Sequence, residues 1–333
     1  MIEYTIFTYH DMNKTRDISI DILKCIAAIV ITNSHMELLY GKYSVLATGG
    51  AIGDVLFFFC SGFTLFLGKM GRFDNWYKRR INRIYPTVFA WAIMGAFIFG
   101  YHYDMKHTII HGGGGWFVTC IMIYYIILYF IQHLMFHKLK WVFGISSIWI
   151  LVWYLAMNRP ADYNMYGATY FKWGHYFLFM LQGAILGISQ KKWKFSFISD
   201  LLKLSGCIII YYMILFAGRK IESLNDWQII SLIPLLYITF YFYKVCNSEV
   251  LKQCYRHPIT GWWIKFIGGL CLEIYLIQGA LFTDKMNSIF PLNLFIMFFI
   301  ILIGAYMLRC LSRLFTQTFR AQEYDWKEII KMT

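Results

Sequence analysis

The chain has 333 residues, of which 59% are hydrophobic, 20% aromatic and only 15% charged, with a mean hydropathy of +0.52. A water-facing globule needs a polar shell that this composition does not supply, which excludes an ordinary soluble domain. The net charge of +13 sits in short basic clusters between apolar runs, a topology signal rather than a nucleic-acid surface.

The first 17 residues are polar-mixed and run straight into an apolar stretch, so no cleavable signal peptide is expected. A bilayer core asks for roughly 20 apolar residues per helix, and such segments recur at about 18–39, 48–67, 84–102, 115–135, 142–157, 173–189, 199–217, 228–246, 266–282 and 290–310. The pattern predicts an all-α polytopic membrane helix bundle of about ten transmembrane helices. With the N- and C-termini both cytoplasmic, Lys and Arg favour the inner side by roughly three to one. One helix more or fewer would scramble that alternation. No repeat or linker divides residues 1–333, which read as one integral membrane domain. Its transmembrane core covers about 16–310, and a short charged tail over 312–333 suits the interface. The eight cysteines lie mostly in apolar runs without zinc or CxxC spacing, so they read as buried apolar residues and no metal site is expected.

Ionisable side chains inside a span are costly, and each is therefore a functional candidate. In the first span Asp17, Asp21 and Lys24 fall on one helix face. Lys24 and His35 also share a face, about 16 Å apart along the axis. The aspartates equally suit the positive end of a starting helix, and His35 taken alone reads as a packing histidine. The second span carries Asp54 and then Ser61-Gly62, small residues that also permit close helix approach. Next comes the densest basic cluster, Lys78-Arg79-Arg80 with Arg83. Arg80 and Arg83 form an i, i+3 fork suited to phosphate, or else a stop-transfer anchor. Glycines 112–115 lead into Trp116-Phe117. Glu273, inside the ninth span, needs a partner or a cavity.

Several of these stretches occur in the order found in the membrane acyltransferase-3 family, bacterial O-acyltransferases of about ten helices. Lys24 with His35 is similar to a basic-x10-His motif, and Gly53-Asp54-Val55 through Ser61-Gly62-Phe63 to a G-V-D…S-G-F stretch. Arg80-Ile81-Asn82-Arg83-Ile84-Tyr85-Pro86 resembles an R-x-x-R…P segment; Trp116-Phe117-Val118 and Ile274-Tyr275-Leu276-Ile277 resemble later helix motifs. The resemblance covers residues 16–310. Two departures stand out: Gln278 replaces a common His, and Lys24 a commoner Arg. No fused SGNH-type hydrolase domain is expected beside the membrane part.

The resemblance implies a multi-pass O-acyltransferase of the bacterial inner membrane. It would move an acyl group, most often acetyl, from cytoplasmic acyl-CoA to a hydroxyl of a cell-surface or lipid-linked carbohydrate. On that reading His35 is the general base, oriented by Asp54 or Glu37. Arg80, Arg83 and Arg79 take the CoA phosphates, and Lys24 lines the donor channel or pairs with Asp21. Trp116, Glu273, Gln278 and Ser61 are candidates for substrate contacts. Acyl-CoA is a substrate, and no permanently bound cofactor is expected. The partners are membrane lipid, acyl-CoA and the carbohydrate acceptor; acceptor identity, acyl length and oligomeric state stay open. The competing reading is a transporter or flippase of a glycolipid or small metabolite, which would not consume acyl-CoA.

Overall fold

A computed structural model describes residues 17–68, 70–101, 104, 115–160, 163–189 and 193–332, and the regular structure among them is helical throughout. In lipid a backbone must satisfy its own polar groups, and this apolar chain does so with helices. In chain order they are α1 (Ile18–His35), the single turn α2 (Glu37–Tyr40), α3 (Gly50–Leu65), α4 (Phe73–Phe99), α5 (Trp116–Leu134), α6 (Leu139–Ala156), α7 (Phe171–Ile188) and α8 (Phe197–Lys220). There follow α9 (Glu222–Asn225), α10 (Leu232–Cys246), α11 (Glu249–Arg256), α12 (Pro258–Gly269), α13 (Cys271–Leu281), α14 (Leu292–Thr318) and α15 (Trp326–Ile329). Of the glycines at 112–115, only Gly115 is among the described residues.

Seven helical stretches of the described residues are long and apolar enough to cross a membrane: α1, α4, α5, Phe136–Ala156, α8, Gln228–Cys246 and α14. Two bent pairs bring the number to nine if each is one span. Glu37–Leu46 meets α3 at 102°, and α12 meets α13 at 74°. The segment expected at 173–189 forms α7, which carries Lys172, His175 and Gln182 and stands outside that set. Its burial explains the composition. A helix enclosed by other helices needs no lipid-facing side, and α7 buries Phe171, His175, Tyr176 and Leu178–Leu181.

The α3–α7 crossing depends on glycine. A Cβ on Gly62 would lie 1.9 Å from the Met180 carbonyl oxygen, and one on Gly183 2.1 Å from that of Phe59. Such close backbone approach drives association where lipid removes the hydrophobic incentive. By contrast α6 and α8 bury few side chains and turn Trp141, Ile145, Ile148, Ile209, Met213 and Phe216 outward, as a lipid-facing rim does.

Local polar bonds fix both ends of α1. Asp17 caps its start: Oδ1 accepts from the Ser19 backbone N–H at 3.0 Å and from Ser19 Oγ at 2.7 Å. Asp21 is buried and accepts from the Tyr255 hydroxyl at 2.8 Å. At the far end Asn33 Nδ2 donates to the carbonyls of Leu46 and Thr48, each at 3.0 Å, which ties the approach to α3 onto α1.

Candidate functional site

Two cavities are stacked along α1, α4 and α13. The first, about 520 Å³, is lined by Lys24, Asp54, Ser61, Arg80, Arg83, Thr87, Glu273, Tyr275, Arg309 and Arg313, among others. The second, about 420 Å³, is lined by His35, Trp91, Tyr101, Gly115, Tyr275, Leu276, Gln278 and Phe282, among others. On each of the three helices the first-cavity residues precede the second-cavity ones: Lys24 before His35, Arg80 before Trp91, Glu273 before Gln278. The separation on α1 is about 16 Å of helix rise. Tyr275 is the described residue common to both walls.

The first cavity is strongly cationic. The Arg80 guanidinium lies 5.0 Å from the Trp76 ring and 5.7 Å from that of Tyr125. Aromatic faces hold a guanidinium in place without neutralising it. Arg80 Nε is buried with no hydrogen-bond partner among the described residues, a costly state that an anion in the cavity would relieve. Arg83, one turn further along α4, is exposed and lines the same space. Arg79 is exposed and lines neither cavity. Lys24 makes no ion pair among the described residues, and its neighbour Asp21 bonds Tyr255 instead.

Glu273 has both a partner and a cavity. Arg309 binds it in a fork, Nε to Oε1 at 2.6 Å and Nη2 to Oε2 at 2.7 Å. Thr87 Oγ1 donates to Oε1 at 3.4 Å and lies 3.0 Å from Ser312 Oγ. The carboxylate is 2% exposed, so this pairing is what makes its charge tolerable. Arg309 Nη2 also bonds the Gly269 carbonyl, freed by the break between α12 and α13. Arg313, one turn on, donates to the carbonyls of Glu328 at 3.1 Å and Ile329 at 3.2 Å, which seats α15 beside the first cavity.

Asp54 sits on the first cavity, where its carboxyl interacts with the Tyr176 hydroxyl and the Lys172 ammonium. Lys172 Nζ stands 4.0 Å over the Trp116 ring, which stacks on Tyr176 at 5.6 Å. Trp116 thus packs between Lys172 and Tyr176 and lines neither cavity. His35 faces the second cavity, and no hydrogen bond joins it to Asp54 or to exposed Glu37 among the described residues. Gln278, 3% exposed, lines the second cavity with His35, and its Oε1 is buried without a partner among the described residues.

The structure therefore gathers Lys24, Ser61, Asp54, Arg80, Arg83 and Glu273 on one cavity, and His35 and Gln278 on the other. Sequence reasoning passed over Arg309, Arg313 and Lys172. The available signal was Glu273, which required a buried cation, with Arg309 and Arg313 one turn apart on the following span.

A family model for an acyltransferase domain matches residues 17–310, from the cap of α1 to within α14. No curated protein and no solved structure matches the chain.

Proposed function

The chain belongs to the acyltransferase-3 family, and from that premise we propose that it is a membrane O-acyltransferase. It transfers an acyl group, acetyl in the first instance, from cytoplasmic acyl-CoA to a hydroxyl of a cell-surface or lipid-linked carbohydrate. In this reading α7 and both bent pairs are spans, giving ten. Both termini and the first cavity lie at the cytoplasmic face of a bacterial inner membrane.

The observation that carries the reading is Arg80, held between two aromatic rings with a buried, unpartnered Nε on a cavity wall shared with Arg83, Lys24 and Arg309. Phosphate oxygens complete such a donor set by charge-assisted bonds. The acyl-bearing end of the donor then points along α1 toward the second cavity. There the acceptor hydroxyl attacks the thioester carbonyl carbon. A C–O bond forms, the C–S bond breaks, and the hydroxyl proton passes to neutral His35. The leaving sulfur takes that proton back from His35 and departs as the CoA thiol, which returns the imidazole to its neutral form. Gln278 Oε1 accepts a hydrogen bond from the acceptor. Glu273 holds Arg309 in place, and Asp54 with Lys172 fixes the wall between the two ligands.

Radiolabelled acetyl-CoA, offered to purified protein in nanodiscs, tests the proposal. Wild type is expected to bind and consume it, while Arg80→Ala/Arg83→Ala loses most of the bound label. Protein that neither binds nor consumes acetyl-, succinyl- or longer acyl-CoA would overturn the enzyme reading in favour of transport.

A further inference from the structure

Tyr275 occupies the junction of the two cavities. Its ring centroid lies 5.7 Å from that of Phe117 in the first turn of α5. The hydroxyl edge also runs against Gly115. A Cβ there would fall 2.5 Å from Oη and 2.7 Å from Cε1. Gly115 has φ −103° and ψ 124°, ordinary extended backbone. Glycine is required at 115 for room, not for conformation. The ring is thus wedged between α13 and the start of α5.

We propose that the Tyr275 ring is the partition across which the acyl group meets its acceptor, and that with Gly115 it sets the acyl length the protein transfers. The inference rests on the acyl-CoA reading and names the specificity element of that site. With the CoA phosphates among Arg80 and Arg83, the thioester approaches from the first cavity and the hydroxyl from the second. A two-carbon acyl group passes the edge of the ring. A longer chain has to lie where the ring stands. The same ring separates the thioester from water in the second cavity, so removing it opens a hydrolytic leak. Tyr275 acts here by shape; it takes no proton and forms no bond with the substrate.

The test compares acetyl-, butanoyl- and hexanoyl-CoA in nanodiscs, following transfer and free thiol release separately, for wild type, Tyr275→Leu and Tyr275→Phe. Wild type is expected to prefer acetyl over hexanoyl by about tenfold or more, the scale on which a tight pocket rejects extra methylenes. Tyr275→Leu should erase that preference and release thiol without matching transfer. Tyr275→Phe, which keeps the ring, should keep the wild-type ratio. If Tyr275→Leu does not fold, Gly115→Ala provides the second probe, because its Cβ must displace the ring and change the ratio. An unchanged chain-length ratio in Tyr275→Leu or Gly115→Ala overturns the partition while the enzyme reading stands. A wild type that consumes no acyl-CoA removes the reading beneath it, and the two failures are distinct.

Discussion

The two cavities share a wall but differ in kind. The first brings five basic side chains and two carboxylates to one space, while the second offers one imidazole and one carboxamide among aromatic and aliphatic walls. The first asks its ligand for negative charge; the second asks for shape and a hydrogen bond. The difference teaches how a polyanionic donor and a histidine base coexist in one protein. A phosphate next to an imidazole favours its charged form, which cannot accept a proton. Spacing the arginines and His35 along the helix axes keeps the donor's charge away from the base.

If that division holds, the largest effect belongs to the histidine. His35→Ala should lower transfer by about 10²- to 10⁴-fold, the usual range for a general base. Acetyl-CoA affinity, measured by equilibrium binding, should stay at the wild-type value. Loss of donor affinity in the same variant would mean that the cavities do not act separately. Second is the buried pair in the first cavity. Glu273→Ala leaves Arg309 without its carboxylate, and breaking a buried pair costs about 3–5 kcal/mol. The Arg309 side chain is 26% exposed and lines the cavity, so the lower end is expected, read as a fall in Tm in detergent. An unchanged Tm would show that water in the cavity already solvates Arg309.

The sequence and the structure agree best where the bilayer itself imposes the rule. Apolar run length located α1, α4, α5, α8 and α14, because a helix in lipid must be apolar for the whole thickness it crosses. Cost in lipid also singled out Lys24, Asp54 and Glu273, all of which line the first cavity. The same reasoning lost Arg309 and Arg313. Arg309 falls at the very end of the run expected over 290–310 and Arg313 beyond it, where basic residues suit a cytoplasmic flank, whereas α14 continues to Thr318 and its Arg309 turns onto Glu273. Lys172 lies just outside the segment expected at 173–189, but it is the second residue of α7 and sits over Trp116. The break at Leu270 was equally hidden. It is stabilised by Arg309 bonding the Gly269 carbonyl, a contact with a helix that local pattern does not report. An aromatic residue at a helix start looks the same whether it lines a cavity or packs a lysine, which is why Trp116 was not separable from a ligand contact.

Smaller effects sharpen the contrast. Arg80→Ala should raise the KM for acetyl-CoA by roughly 12- to 150-fold, since a hydrogen bond to a charged group contributes about 1.5–3 kcal/mol, with kcat at saturating donor little changed. The loss should shrink at high salt, as screened charge recognition does. Arg79→Ala, one residue away but off both cavity walls, should change KM by much less. Equal losses in the two variants would make the cluster a diffuse basic surface instead of a built site.

The smallest expected effect lies across the partition. Gln278 Oε1 is buried and unpartnered beside His35, and a neutral hydrogen bond contributes about 0.5–1.5 kcal/mol. Gln278→Ala should therefore raise the acceptor KM by roughly 2- to 12-fold, since every 1.4 kcal/mol is tenfold. The donor KM should not move, because the side chain lies beyond Tyr275 from the arginines. A change in donor KM alone would place Gln278 on the donor's path, and then the second cavity would receive the acyl end of the CoA ester rather than the hydroxyl that attacks it.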